Sequence, residues 1–373
     1  MKIPQELLAI FLATSGHSGV DKIMGNLIRE LGRRNIPVHL LTIRNHGPYL
    51  EEVPDSVRIV DLQSSHVDTA FPALVRYLKK EHPAFMLTDK DRVNRAALLA
   101  AMMSGASTKL SIRVGTTVSK NLERRDWFAR TMQILSIRTL YSKASNILVP
   151  SAGAAEDLET KFHLPSEKIK VVPSPVITDD FEQKCSEPVN HAWLSNKTAP
   201  VILGAGELCS RKDFTTLIKA VSVVRKEMDV KLIIAGKGKK KKALIALADE
   251  LGIKDSIDLV GFVQNLPAWM AKADLFVLSS ICEGMPVVLI EALAAGTDVV
   301  STDCPSGPRE LLQNGLVAPL VPVGDSEALA RAMLNRLRAT REPERLKEAV
   351  SKFMVRASAA SYLEAIGWKT GLE

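Results

Sequence analysis

Cysteine, aromatic residues and long apolar runs are all scarce in this sequence of 373 residues. Its four cysteines lie far apart and form no CxxC pair, so we predict neither a disulfide framework nor a zinc site, and we expect a reducing cytoplasm. No apolar run reaches the roughly 20 residues that span a bilayer. Aromatic residues make up 5% of the chain and no recognised nucleic-acid module is present, which excludes nucleic acid as an expected partner.

Metal-binding patterns are also missing. The seven histidines show no spacing typical of metal ligands, so we expect no metal site. The apolar run near the N-terminus favours a first buried strand over a signal peptide, because the basic region before it is thin and Glu6 interrupts it.

The net charge of +7 is concentrated in one half of the chain. Residues 1–178 hold 24 Lys and Arg against 17 Asp and Glu, whereas residues 179–373 hold 25 of each sign. A basic surface on the first half favours an anionic partner, such as a phospholipid headgroup or a phosphorylated lipid carrier. A simple contribution to solubility explains the same excess.

The segment 120–143 allows two interpretations. It holds six basic residues against two acidic ones, and Trp127 and Phe128 lie among them. A basic helix with aromatic residues can rest on an anionic membrane surface. Alternatively, the helix packs its aromatic side chains into the domain.

Short apolar runs alternate with longer amphipathic stretches along the chain, which predicts parallel sheets covered by helices. Residues 173–200 break this alternation and predict a linker into a second domain. We therefore predict an α/β fold with two Rossmann-like, doubly wound domains facing across a cleft. The predicted domains are 1–178 and 179–345, and a C-terminal helix over 346–373 is expected to pack back on the first.

Strand-to-helix junctions carry the candidate chemistry. Gly16 and Gly19 lie in the first junction, where backbone N–H groups can approach a phosphate at a helix N-terminus, although steric need explains such glycines equally well. His17 lies in the same loop and is a candidate for contact with an acceptor. A later junction begins at Gly206 and contains Arg211 and Lys212, which could bind a diphosphate or could form a solvated basic pair.

The most informative junction holds two glutamates separated by seven residues. Glu283 lies in the loop, and Glu291 lies inside the apolar helix that follows. Burying an unpaired carboxylate is costly, so Glu291 needs a fixed partner, for which a ribose diol or a structural cation would serve.

These junctions resemble those of a known family. Residues 279–312, SSICEGMPVVLIEALAAGTDVVSTDCPSGPRELL, resemble the donor-site signature of the retaining GT-B glycosyltransferases of family 4, the E-x7-E enzymes. GELCSRKDFTTLIKA resembles the phosphate-binding loop of the same family. The resemblance covers nearly the whole chain and is specific over 200–325.

The resemblance implies a UDP-sugar donor held by the second domain, with no other cofactor and no metal ion. Glu283, Arg211 and Lys212 would be the catalytic residues. The implied donor contacts are Gly16, Gly19, Gly206, Arg211 and Lys212 for phosphates, Phe262, Val263 and Leu266 around the uracil, Glu291 for the ribose, and Glu283, Gly284, Met285, Pro286 and Val287 for the sugar and phosphate.

Two positions depart from the family pattern. Glu207 stands where relatives often carry arginine, and we hypothesise that Arg211 supplies the missing positive charge. Gly115 stands where relatives often carry a histidine in the cleft, so Arg113 or Thr116 is expected to line the acceptor side instead.

The implied function is retaining transfer of a hexose or N-acetylhexosamine from a UDP-sugar to a saccharide acceptor, in bacterial surface polysaccharide or lipid-linked glycan synthesis. We expect a cytoplasmic protein that also contacts the inner face of the cell membrane peripherally. Two other functions fit the same residues: a UDP-sugar epimerase of this architecture, and a nucleotide-sugar-binding protein without catalysis.

Overall fold

A computed structural model describes residues 6–16, 18–50, 52–123 and 126–369. Its internal contacts divide the chain into two compact units. Unit 1 consists of residues 1–176 and 353–373, and unit 2 consists of residues 177–352. Among the described helices, none is long and apolar enough to cross a membrane.

Unit 1 contains a parallel sheet flanked by helices. Its strands are β1 (Leu8–Phe11), β2 (Val38–Thr42), β3 (Val57–Asp61), β4 (Phe85–Asp89), β5 (Lys109–Arg113), β6 (Asn146–Val149) and β7 (Ile169–Val171). Its helices before unit 2 are α1 (Gly19–Arg33), α2 (Phe71–Glu81), α3 (Asp91–Ser104), α4 (Val118–Leu122), α5 (Trp127–Tyr141) and α6 (Ala152–Phe162). Within the described residues the seven strands are ordered β3-β2-β1-β4-β5-β6-β7.

The central strand β1 of this sheet is completely buried, and its side chains are apolar. Ile10 pairs in register with Leu40 on β2 and with Leu87 on β4, and all three side chains are buried. Parallel strands buried on both faces need continuous apolar sequence, as this strand has. The strand order reverses between β1 and β4, which makes their carboxyl ends a topological switch point.

Unit 2 repeats this plan with a smaller sheet. Its strands are β8 (Val201–Ala205), β9 (Lys231–Ala235), β10 (Ile257–Gly261), β11 (Leu275–Leu278), β12 (Val299–Thr302) and β13 (Leu320–Val321). Its helices are α7 (Phe181–Ser186), α8 (Ala192–Ser195), α9 (Phe214–Val224), α10 (Lys241–Glu250), α11 (Leu266–Lys272), α12 (Val287–Ala294), α13 (Gly307–Leu311), α14 (Ser326–Arg338) and α15 (Pro343–Glu348). Over the described residues the parallel order is β10-β9-β8-β11-β12-β13, with its switch point between β8 and β11.

The last helix, α16 (Val355–Ile366), belongs to unit 1 and packs against α1. The segment 346–373, predicted as one C-terminal helix, contains the end of α15, which packs on α12 in unit 2, a short 3-10 turn (Ser351–Phe353), and α16. Where the chain re-enters unit 1, the Val176 N–H donates to the Phe353 carbonyl at 3.1 Å.

The segment 173–200 is more ordered than a simple linker. It contains α7 and α8, and α7 packs against α11. Asn265, the N-cap of α11, donates through Nδ2 to the Lys184 carbonyl at 2.8 Å and to Glu187 Oε2 at 2.6 Å. These contacts attach the start of unit 2 to its own helical layer.

Candidate functional site

The switch point of unit 2 brings together the charged residues that the sequence singled out. Arg211 and Lys212 follow β8, and Glu283 follows β11. Glu283 Oε1 accepts from Arg211 Nη1 at 2.8 Å and from Lys212 Nζ at 2.7 Å. Ser280, which the sequence reasoning missed, donates its hydroxyl to the same oxygen at 2.7 Å. Open α/β sheets bind their ligands at such a reversal of strand order.

Backbone contacts fix the two loops relative to each other. The Ile281 N–H donates to the Arg211 carbonyl at 2.8 Å, and the Ser279 hydroxyl donates to the Lys212 carbonyl at 2.9 Å. Gly206 has φ +148°, and a Cβ there would lie 2.9 Å from Lys212 Cε. Glycine at this position therefore lets the lysine side chain run along the end of β8.

The site keeps an excess of positive charge. Burial alone would raise the pKa of Glu283, but the charges of Lys212 and Arg211 outweigh it and hold the pKa of this carboxyl below its usual value. One carboxylate then faces two cations. Lys212 and Glu283 are buried, whereas the Arg211 side chain is one-third exposed. One buried and one partly exposed cation that share a single counter-charge suit a phosphate-bearing ligand.

The loop 284–286 leads from Glu283 into α12. Gly284 and Met285 pack closely on Gly307, the first residue of α13, where a Cβ would lie 2.8 Å from Met285 Cα. The N-terminus of α12 at Val287 adds a partial positive charge to this loop. Glu291 lies on α12 and is almost completely buried, and its contact with a ribose stays a prediction.

The predicted uracil contacts lie at the same edge of the sheet as the charged loops. The Gly206 N–H donates to the Ala235 carbonyl at 2.9 Å, and the Gly236 N–H donates to the Gly261 carbonyl at 2.6 Å, which links the loops after β8, β9 and β10. Phe262 directly follows β10 and is exposed. Val263 and Leu266, the latter opening α11, are partly buried. Their contacts with a base stay predictions.

The glycine loop of unit 1 already contains a carboxylate. Gly16 follows β1 and Gly19 is the first residue of α1, while His17 lies outside the described residues. Asp21 is buried, accepts from the Ser18 N–H at 2.8 Å and from the Ser18 hydroxyl at 2.5 Å, and also bonds to Thr14. The positive end of α1 thus has an anionic partner of its own, which sequence reasoning missed although S-x-x-D before an apolar run is a capping signal.

Arg113 lies inside unit 1. Its guanidinium donates to Asp89 Oδ2 at 2.6 Å, to the Tyr362 hydroxyl at 2.8 Å and to the Ser174 hydroxyl at 3.3 Å. The arginine therefore joins β5 and β4 to α16. Thr116 is exposed and accepts from Asn121 Nδ2 at 2.9 Å. The acceptor roles of both residues stay predictions.

Asp89 and Asp91 have D-x-D spacing, but both carboxylates already form ion pairs and hydrogen bonds with other side chains of unit 1. Asp89 pairs with Arg113, and Asp91 Oδ2 accepts from Arg95 at 2.8 Å and from Gln133 at 3.0 Å. Over the part of the chain that the structure describes, no group of three or more His, Cys, Asp or Glu side chains is placed to hold a metal ion.

Helix α5 exposes its large side chains. Trp127 is 78% exposed, Phe128 61%, Met132 52% and Leu135 55%. The interpretation that this segment packs its aromatic residues into the domain is therefore wrong for Trp127 and Phe128.

Comparison with known proteins covers both units. Residues 17–180 match the family described as Glycosyltransferase Family 4, and residues 187–353 match Glycosyl transferases group 1. A Campylobacter jejuni protein named N-acetylgalactosamine-N,N'-diacetylbacillosaminyl-diphospho-undecaprenol 4-alpha-N-acetylgalactosaminyltransferase is 30% identical over 362 residues, 94% of this chain and 95% of that protein. An uncharacterized glycosyltransferase of Haemophilus influenzae is 35% identical over 312 residues, 82% of this chain and 83% of its own length.

Solved structures share the architecture at low identity. HepE from Anabaena, in complex with UDP and glucose, has a TM-score of 0.78 at 16% identity and covers 97% of this chain and 99% of its own. The lipopolysaccharide outer core galactosyltransferase WaaB, in its apo form, has a TM-score of 0.70 at 19% identity, covering 96% of this chain and 98% of its own. At these identities the likeness shows a common fold.

Proposed function

This chain belongs to the glycosyltransferases of family 4 and has the GT-B fold, and from that premise we propose that it moves a hexose or N-acetylhexosamine from a UDP-sugar to a saccharide acceptor with retention of configuration and without a metal ion. One observation carries this proposal: two cations share one buried carboxylate oxygen at the switch point of unit 2. The names of the similar proteins support it, since HepE was solved with UDP and glucose and the Campylobacter relative is named for transfer to a diphospho-undecaprenol.

In the proposed reaction, the bond between the sugar C1 and the β-phosphate oxygen breaks and a bond from the acceptor oxygen to C1 forms on the same face. The acceptor proton passes to the leaving phosphate, and UDP departs. Arg211 and Lys212 stabilise the negative charge that develops on the diphosphate, which is the largest electrostatic contribution a site of this kind makes. Glu283 and the loop 284–287 hold the sugar, and Glu291 holds the ribose.

The proposal is tested with a panel of UDP-, GDP- and ADP-sugars, with and without EDTA, by measuring nucleotide release and thermal shift. We expect one UDP-sugar to stabilise the protein and to release UDP equally well in EDTA. Glu291→Ala should abolish both effects, whereas Glu227→Ala, at an exposed ion pair of the same unit, should retain them.

Each alternative gives a different result in this experiment. Conversion to a new sugar nucleotide without release of UDP would identify an epimerase instead. Stabilisation without any product, in the presence of acceptor glycosides, would identify a binding protein. No response to any nucleotide sugar would overturn the donor assignment.

We further propose that the segment 120–143 contacts an anionic membrane, where a lipid-linked acceptor would be found. Helix α5 contains no acidic residue, and its exposed side combines four large apolar side chains with Arg130 and Arg138. Arg124 and Arg125 lie outside the described residues. Apolar side chains between cations are typical of a helix that lies in a lipid interface.

Co-sedimentation with vesicles tests the membrane contact. We expect binding to phosphatidylglycerol vesicles and little binding to phosphatidylcholine vesicles. The double variant Trp127→Ser/Phe128→Ser should lose most of the binding, while Ile59→Ser, an exposed apolar site on β3, should bind as the wild type does. Equal binding by both variants would contradict the proposed surface.

A further inference from the structure

The switch point of unit 1 presents an exposed aromatic ring. The strand order reverses between β1 and β4, and the loop after β2 lies against the loop after β1. The Gly47 N–H donates to the Thr14 carbonyl at 2.9 Å, and the Thr14 N–H donates to the Gly47 carbonyl at 3.3 Å. These two hydrogen bonds place Tyr49, two residues further on, beside Gly16.

Gly16 makes room for the Tyr49 ring. Gly16 has φ +84°, and a Cβ on it would lie 2.6 Å from Tyr49 Cδ2, so any larger residue would push the ring away. One edge of the ring therefore packs on the glycine backbone. The side chain remains 62% exposed, which leaves much of the ring open to a ligand.

The loops around the ring are held in place and have a polar rim. A Cβ at Gly47 would lie 2.9 Å from Asp21 Oδ1, so the Asp21 carboxylate that caps α1 also lies against this loop. Ser15, next to Gly16, is exposed. A rigid aromatic surface with a few polar groups at its edge is the usual composition of a small-ligand site, and such sites lie on loops held by a rigid scaffold.

We propose that Tyr49 is the platform on which a pyranose ring of the acceptor saccharide stacks, a proposal that rests on the proposed function. One face of a pyranose carries several C–H groups and packs well on an aromatic ring, while its hydroxyls project sideways to polar neighbours. The donor residues of the proposed reaction, Arg211, Lys212, Glu283 and Glu291, belong to unit 2, whereas Tyr49 belongs to unit 1. Tyr49 then contributes to acceptor affinity and takes no part in bond breaking.

Saturation-transfer NMR tests this inference without requiring turnover. The probes are the methyl α-glycosides of galactose, N-acetylgalactosamine, glucose and N-acetylglucosamine, each mixed with the full-length protein. We expect at least one glycoside to receive saturation from the wild type and from Tyr49→Phe, and the signal to fall at least fivefold in Tyr49→Ala. UDP titration of the same three proteins should give Kd values within about twofold of one another.

The outcomes separate this inference from the proposed function. Equal saturation in the wild type and in Tyr49→Ala, including none in either, overturns the platform. A loss of UDP affinity in Tyr49→Ala also overturns it, because the ring would then serve the donor. Ile59→Ala controls for an exposed apolar side chain of the same sheet and should leave the glycoside signal unchanged. Failure of UDP-sugar turnover with intact glycoside binding would reject the proposed function alone.

Discussion

Glu283 takes hydrogen bonds from two cationic side chains and a hydroxyl on a single oxygen. Glu283→Gln keeps the shape of this side chain but leaves Lys212 and Arg211 without their counter-charge. Removing one member of a buried ion pair typically costs about 3–5 kcal/mol. We expect a lower melting temperature and a larger stabilisation by UDP than in the wild type, because the diphosphate restores the missing negative charge. Differential scanning fluorimetry with and without UDP measures both.

The pH dependence of the unfolding free energy provides the control for the Glu283→Gln prediction. Because its pKa is held below the ordinary value in the folded protein, the stability it contributes is present above the unfolded pKa of about 4.3 and is lost as the pH falls through the lower, folded value. The gap in stability between the wild type and Glu283→Gln should therefore narrow in acid. Glu227→Gln, at an exposed pair with Arg338, should differ from the wild type by less than about 1 kcal/mol at any pH. A UDP-induced shift smaller in Glu283→Gln than in the wild type would contradict the assignment.

The sequence made Arg113 a candidate for contact with the acceptor. Its hydrogen bonds in the structure predict instead that replacing it destabilises the protein. Arg113→Met leaves the buried Asp89 carboxylate unpaired, which should cost about 3–5 kcal/mol of unfolding free energy. Tyr362→Phe removes one hydrogen bond of the same network and should cost only about 1 kcal/mol. Urea unfolding followed by circular dichroism gives both values. If Arg113→Met unfolds at the wild-type urea concentration while losing transfer activity, the acceptor role is correct and the structural one is wrong.

At the scale of single elements, the apolar runs predict the central strands of both sheets, because these strands are short and buried. β1 and β8 are buried along their whole lengths and contain no polar side chain, whereas the equally buried β4 ends in Thr88 and Asp89. The edge strands β7 and β13 were not predicted. Ile169–Val171 includes an exposed lysine and Leu320–Val321 has only two residues, so neither carries an apolar run long enough to recognise.

The sequence also predicted part of the candidate site, as it predicted part of each sheet. Arg211, Lys212 and Glu283 could be named because they lie in loops that follow buried strands, and parallel strands bring such loops to one edge. No pattern in the sequence marked Ser280 or Tyr49 as a functional residue. Their positions depend on which loop lies against which, and sequence spacing does not record that.

Helix α5 shows why burial could not be predicted from composition alone. Its apolar residues surround the helix, so the sequence does not distinguish the packed side from the exposed one. In the structure Ile137 is fully buried, whereas Leu135 is 55% exposed. Ile137→Ala should lower the unfolding free energy by about 2–5 kcal/mol, and Leu135→Ala should change it by no more than about 0.5 kcal/mol. Urea unfolding midpoints that fall equally in both variants would mean that the helix is rotated from its described orientation.

At the scale of the whole molecule, the charge asymmetry follows the division into units. Unit 1 contains 26 Lys and Arg against 19 Asp and Glu, whereas unit 2 contains 23 of each, so the entire excess of +7 belongs to the unit that carries α5. Unit 2 combines overall neutrality with a local excess of positive charge at Arg211 and Lys212. We therefore propose that long-range attraction to an anionic surface acts through unit 1 and short-range recognition of a phosphate through unit 2.

Salt should separate these two kinds of attraction. The Debye length falls from about 10 Å at 0.1 M to about 3 Å at 1 M salt, and each Lys or Arg near an anionic surface contributes about 1 kcal/mol. Raising NaCl from 0.05 to 0.5 M should therefore weaken binding to phosphatidylglycerol vesicles at least tenfold. UDP affinity should change less, because Lys212 is buried and its contacts are short. Co-sedimentation and calorimetry measure the two affinities in the same buffers. Vesicle binding that persists unchanged in 0.5 M NaCl would show that the basic excess of unit 1 does not attract the membrane, and that the apolar side chains of α5 act alone.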